Sequence, residues 1–271
     1  MPLADYAAYK AAAVADARPW MKGFVSQTTG LWGSHIQSSV DTMTAPTTAV
    51  LCDSSTRGAL LVDPVLGTFT NPLFLALLEQ CRTQGNANSL FLVDRLANSG
   101  GLSGTVTTAQ TTNLPTPSLP ASVNKVGVMI GLQVYSALGA TTTTVTASYT
   151  NSAGVSGRTT KAVATIASMA QSSVLILPLQ DGDVGVSSVE SVTLAATTGT
   201  AGNFGVVLFK PLAMFPYISQ VGTPPQVYKD SLIGGCGNLA PIRSDCCLDL
   251  FARGGTGTST THGVISIIEV P

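Results

Sequence analysis

From Val126 the chain places an apolar residue at every second position: Val126, Val128, Ile130, Leu132 and Val134. A period of two puts all five on one face of a pleated strand. Comparable blocks follow at Thr143–Thr150, Arg158–Ile166, Val174–Leu179, Val189–Ala195 and Phe204–Leu212, rich in the Val and Thr that suit a pleated surface. Turn-forming Asn151-Ser152-Ala153-Gly154, Asp181-Gly182-Asp183 and Thr198-Gly199 punctuate them. Turns spaced by about a dozen residues fit an antiparallel sandwich or jelly roll.

The flanks read less regularly. Leu3–Arg18 is Ala-rich and stopped by Pro19, which predicts a short N-terminal helix, and Lys22–Thr48 predicts an irregular arm. Ala49–Cys52 and Ala59–Val62 read as two short strands around a polar turn. Asn71-Pro72, then Leu73, Phe74, Leu77, Leu78 and Cys81, then Gly85, carry the cap, first-turn proline and terminal glycine of a second helix. Ser89–Leu96 is a compact strand whose Asp94 and Arg95 read as a local surface pair. Leu96–Asn124 has no charged residue and carries Pro115, Pro117 and Pro120, so it runs extended. Pro216–Pro225 reads as a crossover, and Cys246–Ala252 with Val264–Val270 as a terminal hairpin around Gly254–Gly263. The fold expected is mainly β: an N-terminal helix and extended arm over 1–48, and an antiparallel β-sandwich or jelly-roll-like domain over 49–271. That domain contains the one further helix and, over 213–271, the crossover and hairpin.

Composition changes this picture in one respect. Only 10% of the 271 residues are charged against 45% hydrophobic, and the mean hydropathy is +0.35. Globular chains average roughly 25% charged residues, so this surface is covered by Thr, Ser, Asn, Gly and apolar groups and invites cover by another subunit. Thirteen basic and 14 acidic residues leave a net charge of −1 and form no basic stripe. Neither nucleic acid nor an anionic membrane is therefore expected as a partner. Asp5, Lys10 and Asp16 interrupt the apolar run that a secretory leader would need, so synthesis and assembly in a reducing cytoplasm are expected.

Candidate chemistry is sparse. His35 and His262 are the two histidines, and no G-x-S-x-G elbow offers a serine to either. Cys236, Cys246, Cys247 and His262 have the ligand types of a zinc site but not its spacing. Cys246 and Cys247 fall on opposite faces of a strand, which favours buried thiols; a bridge from Cys236 to either is the alternative. The pairs Asp181/Asp183 and Asp245/Asp249 are the nearest approach to two facing carboxylates, and Asp181-Gly182-Asp183 lacks the further acidic ligands of a calcium loop. No catalytic residue, metal or cofactor is assigned, and the chain is not expected to be an enzyme. The aromatic residues Tyr6, Tyr9, Trp20 and Trp32 are expected to anchor the N-terminal segment to a neighbour. Alternatively, Tyr217, Tyr228 or Trp32 would stack on host carbohydrate.

The blocks SLFLVDRL (89–96), ASYTNSAGVSGRTT (147–160) and the segment Leu177–Leu212 resemble a family of tailed-bacteriophage virion structural proteins. The likeness covers roughly the central half of the chain, and its motifs are strands and turns. It implies a virion component made in the host cytoplasm, most simply a capsid decoration or minor head protein binding the shell and copies of itself. A tail or adsorption protein is the other role the likeness admits.

Overall fold

The computed structural model describes residues 18–23, 28–37, 43–60, 73–82, 89–114, 119, 123–165, 167–216, 227–230, 240–253 and 260–269. Its elements are β1 (Arg18–Gly23), β2 (Trp32–Ser34), a single 3-10 turn (His35–Gln37), β3 (Val50–Leu51), β4 (Leu73–Arg82), β5 (Ser89–Asn98), β6 (Gln110–Thr111), β7 (Met129–Ser136) and β8 (Thr144–Asn151). They continue with β9 (Arg158–Thr159), β10 (Val163–Ala164), β11 (Ser173–Leu177), β12 (Val186–Leu194), β13 (Asn203–Pro216), β14 (Val227–Asp230), β15 (Ala240–Ile242), β16 (Cys247–Arg253) and β17 (Thr260–Glu269).

Six of these strands close on themselves. They run β13-β7-β11-β2-β16-β5, and β5 pairs back onto β13, giving an antiparallel barrel with β3 added beside β5. Two further sheets flank it: β1-β17-β4-β14 with β15 on β4, and β10-β8-β12-β6 with β9 on β8. Closure removes the barrel's own open edges.

The alternation along each strand divides its residues between two cores. In β7, Ile130, Leu132 and Val134 point outward and pack, with Leu175, Leu177, Val206 and Leu208, against Val145, Ala147 and Tyr149 of β8 and Val189 and Val192 of β12. On the other side Leu92, Leu248 and Leu250 meet Leu73 and Leu75 of β4 and Ile265 and Ile267 of β17. Inside the barrel, Val93, Val174, Val207, Phe209 and Phe251 fill the lumen. There is no slack in it: a Cβ on Gly131 would come within 2.8 Å of Val174 Cγ1 and 2.9 Å of Val207 Cγ1.

The mainly β, antiparallel expectation holds, with a closed barrel between two sheets as its form. Several elements differ from the sequence reading. The helix expected from Asn71 to Gly85 is strand β4, in register with β17 from Leu73↔Glu269 to Arg82↔Thr261. An apolar stripe wide enough for a helix on a sheet is equally the signature of a strand covered on both faces, and here the tertiary pairing decides. Among the described residues the expected terminal hairpin does not form, since β16 joins the barrel beside β5 and β2 while β17 joins β4 and β1. Val126 is exposed and makes a single bridge to Gly185, because Gly127, at φ +81°, turns the chain before β7 begins. Of the strand expected at Ala59–Val62, Ala59 closes a turn with its N–H on the Thr56 carbonyl at 3.0 Å, the Leu60 N–H donates to the Leu248 carbonyl at 2.8 Å, and 61–62 lie outside the described residues. The helix expected at Leu3–Arg18 lies outside the described residues except for Arg18, which opens β1. Within the expected arm, β2 sits between β11 and β16 as a stave of the barrel.

Candidate functional site

Two polar clusters stand out, one sealed in the barrel and one at a loop end. The first begins with the consecutive residues Asp94 and Arg95 of β5, which alternation sends to opposite faces. They are not the surface pair read from the sequence. Arg95, 0% exposed, points into the lumen, where its Nη1 donates to Asp249 Oδ2 at 3.0 Å. The same nitrogen donates to Gln133 Oε1 at 3.1 Å and Ser34 Oγ at 3.2 Å, and Nη2 donates to Asn98 Oδ1 at 2.5 Å. Ser34 Oγ donates in turn to Asp249 Oδ2 at 2.6 Å. Burial pushes the Asp249 carboxyl above its usual range while Arg95 pulls it back. Burial likewise pushes the Tyr135 phenol up, and its hydroxyl has no hydrogen-bond partner among the described residues.

Asp94 points the other way. It accepts from Arg243 Nε at 2.8 Å and Nη2 at 3.2 Å, and from the Cys247 backbone N–H at 3.1 Å. Arg243 also donates to Asp245 at 2.9 Å. The two charges of β5 thus tie three segments of the chain to one strand. With Arg95 and Asp249 sealed from solvent, no substrate reaches this cluster, and its work is to fix strand positions.

The second cluster centres on Asp183, at the end of a tight turn. The Asp183 N–H donates to the Gln180 carbonyl at 3.1 Å, and Gly182 takes the positive φ of 87° that such a turn needs. Its carboxylate receives Tyr149 OH at 2.5 Å, Asn151 Nδ2 at 2.7 Å and Arg158 Nε at 2.9 Å. Arg158, followed by the Tyr149 and Asn151 donors, holds the Asp183 carboxyl down from the ordinary 3.8 to about 2. Asn151 Oδ1 accepts the Ala153 and Val155 N–H groups, both at 3.0 Å, and so shapes the loop after β8. The Ser152 N–H reaches the Gly185 carbonyl at 2.9 Å, and the Gly127 N–H reaches that of Val184 at 2.8 Å.

Three loops are therefore drawn into one tip. It presents Val126 and Val155, each 52% exposed, and Val184, 62% exposed. A cavity of about 400 Å³ opens there, lined by Met129, Leu177, Leu179, Gln180, Asp181 and Val184 among others. Asp181 pairs with Lys161 at 2.5 Å, and both Asp183 oxygens are taken, so the calcium ligands weighed from the sequence are engaged with protein donors. Among the described residues no three of His, Cys, Asp and Glu gather as a metal site.

The residues singled out from the sequence fall elsewhere. Trp32 is half-buried at the barrel mouth, its ring edge-on to Phe91 at 4.4 Å with Arg253 Cζ 5.8 Å from its centroid. Trp20 is opposite Gly263 in the β1–β17 pair, and Tyr228 is opposite Glu79 in the β14–β4 pair. Tyr6, Tyr9, Tyr217 and Cys236 lie outside the described residues. Cys246 and Cys247 are buried thiols, packed in different clusters as their alternation requires. His35 is buried after β2, and His262 is opposite Cys81 in the β17–β4 pair. The Asp183 hub was half legible, since its turn is in the sequence; the partners Tyr149, Asn151 and Arg158 carry no local signal.

The fold defines a class, a mainly β chain organised around a closed six-strand antiparallel barrel. No protein-family model and no curated protein matches it. Among solved structures it is similar to T=1 particles derived from infectious bursal virus, at 9% identity over 94% of this chain and 78% of that one, with a TM-score of 0.18. A second similarity is to infectious bursal disease virus, Gt strain, at 11% identity over 94% and 81%, with a TM-score of 0.16. At these scores the likeness carries no argument about fold or function.

Proposed function

We propose that this chain is a bacteriophage virion structural protein, a capsid decoration or minor head protein that binds the shell and neighbouring copies of itself. The observation that carries the reading is where the few charges go. Arg95, Asp249, Asp94, Arg243, Arg158 and Asp183 are engaged with one another inside the fold or under its loops. The outward residues of β8 are left as Thr144, Thr146, Ser148 and Thr150, alternating with buried Val145, Ala147 and Tyr149. The Glu190 carboxylate beside this face is already engaged by Thr150 and Ser188, so a hydroxyl-rich face with few charges is cheaper to cover with protein than a heavily charged one.

The valine-bearing tip adds apolar surface, held in shape by the Asp183 hub. Burial of apolar area contributes roughly 25 cal/mol per Å², reduced by the cost of association, and a symmetric shell multiplies weak contacts by avidity. The virion likeness of the central blocks supports the same reading, and no enzymatic step belongs to it.

Co-sedimentation of the purified chain with particles lacking it is the test. Saturable binding at a fixed copy number, with no selectivity on a glycan array, is expected. Sugar-selective binding without particle binding would replace this role by host adsorption.

A further inference from the structure

The structure brings together two cysteines from opposite ends of the sequence. Along one side of β5, β3 and β16 lie end to end: Val50 faces Asn98, Leu51 faces Ala97, and the Cys52 N–H donates to the Leu96 carbonyl at 3.0 Å. The next position along is Cys247, opposite Arg95. Cys52 and Cys247 thus stand against consecutive residues of one strand. Both are buried and free, and they share an apolar cluster with Ile36, Met43 and Ala59. Neither the spacing of the cysteines nor their local sequence reveals this pairing.

We propose that Cys52 and Cys247 form a disulfide once the folded chain leaves a reducing compartment, stapling the segment before β4 to the barrel wall at β16. The co-reactant is a small-molecule disulfide such as oxidised glutathione. The Cys52 thiolate attacks one of its sulfurs, making a mixed disulfide and expelling one glutathione thiolate. Cys247 then gives up its proton and attacks Cys52 Sγ, expelling the second glutathione. Two electrons pass from the cysteine pair to the glutathione disulfide, and the two thiol protons end on the two glutathiones released.

The neighbouring Cys247 thiol holds Cys52 below its ordinary value, with Arg95 helping, while the Cys52 thiol and burial push Cys247 up. Cys52, 3% exposed where Cys247 is 0%, is the sulfur nearer solvent and the one an oxidant meets first. It also has the way in, since Asp53, Ser54 and Ser55 immediately after it are exposed.

The test uses the folded full chain, equilibrated in glutathione buffers of increasing oxidised fraction, quenched by alkylation and read by intact mass and peptide mapping. The expected map shows a peptide joining Cys52 to Cys247, with Cys246 still alkylated, and a melting temperature that rises on oxidation and returns on reduction. Cys52→Ser or Cys247→Ser abolishes the joined peptide, whereas Cys246→Ser leaves it. The wild-type map stands even if a variant fails to fold. Full alkylation of Cys52 and Cys247 in the most oxidising buffer, a stable glutathione adduct on Cys52, or linkage of either to Cys236 or Cys81 overturns the proposal.

Discussion

Replacing Asp249 by Asn probes the centre of the barrel most sharply. The change keeps the size and shape of the side chain, so it opens no cavity, but it leaves Arg95 charged in a site where it is 0% exposed. Gln133, Ser34 and Asn98 remain as neutral acceptors. Removing one member of a buried ion pair costs about 3–5 kcal/mol, because the other is left uncompensated. Against a typical total of roughly 5–15 kcal/mol, that is a large share of the stability. At about 2–3 °C per kcal/mol for a chain near this size, the melting temperature should fall by roughly 6–15 °C.

The comparison that isolates the cause is the double replacement Arg95→Met with Asp249→Leu. Removing both charges for apolar groups of similar size is expected to recover most of the loss. A second comparison is Asp181→Asn, which breaks the exposed pair to Lys161 and should cost less than about 1 kcal/mol. Urea denaturation at pH 7, followed by near-ultraviolet circular dichroism, measures all three. Equal midpoints for Asp249→Asn and Asp181→Asn, or a double variant no more stable than the single, would refute the reasoning.

Other outcomes follow from the same geometry. Asp183 has its carboxyl lowered from 3.8 to about 2, so its stabilising contribution is complete above pH 3.8 and lost as the pH falls through 2. Wild-type stability should accordingly fall more steeply than that of Asp183→Asn between those values, as read from denaturant midpoints at stepped pH. Gly131→Ala forces a methyl group to within 2.8 Å of Val174 Cγ1 and should cost about 1–3 kcal/mol by thermal melting, whereas an unchanged melt would show slack in the lumen. Val155→Asp with Val184→Asp changes exposed positions only, so the fold should melt as before while co-sedimentation with particles drops; full retention of binding would remove the tip from the interface.

Some of this architecture was legible in the sequence. β7 and β8 follow from alternation, because one face of each is apolar and the other carries Gly131 and Gln133 or Thr and Ser, whereas β11 and β13 bury both faces and read as strands only as short apolar blocks between turns. What alternation cannot record is which strands meet. β4 runs Leu73-Phe74-Leu75-Ala76-Leu77-Leu78 with no polar alternate, so its sequence lacks the period that separates strand from helix, and only its pairing with β17, β14 and β15 decides. Asp94 and Arg95 look like a surface pair because local sequence does not announce Arg243 and Asp249, each from the last third of the chain. The three residues of β2 are too few to show a period, yet they complete the barrel wall. The Asp183 turn was visible as Asp-Gly-Asp, but its hub depends on a tyrosine, an asparagine and an arginine brought in by β8 and β9.

The claim that adhesion to a particle is this chain's work is tested most directly by locating it on intact virions, comparing density maps of particles with and without it. Density repeating with the shell's symmetry, with the valine tip or the threonine face of β8 against a neighbour, is the expected result. Particles whose maps are identical with and without the chain would contradict it.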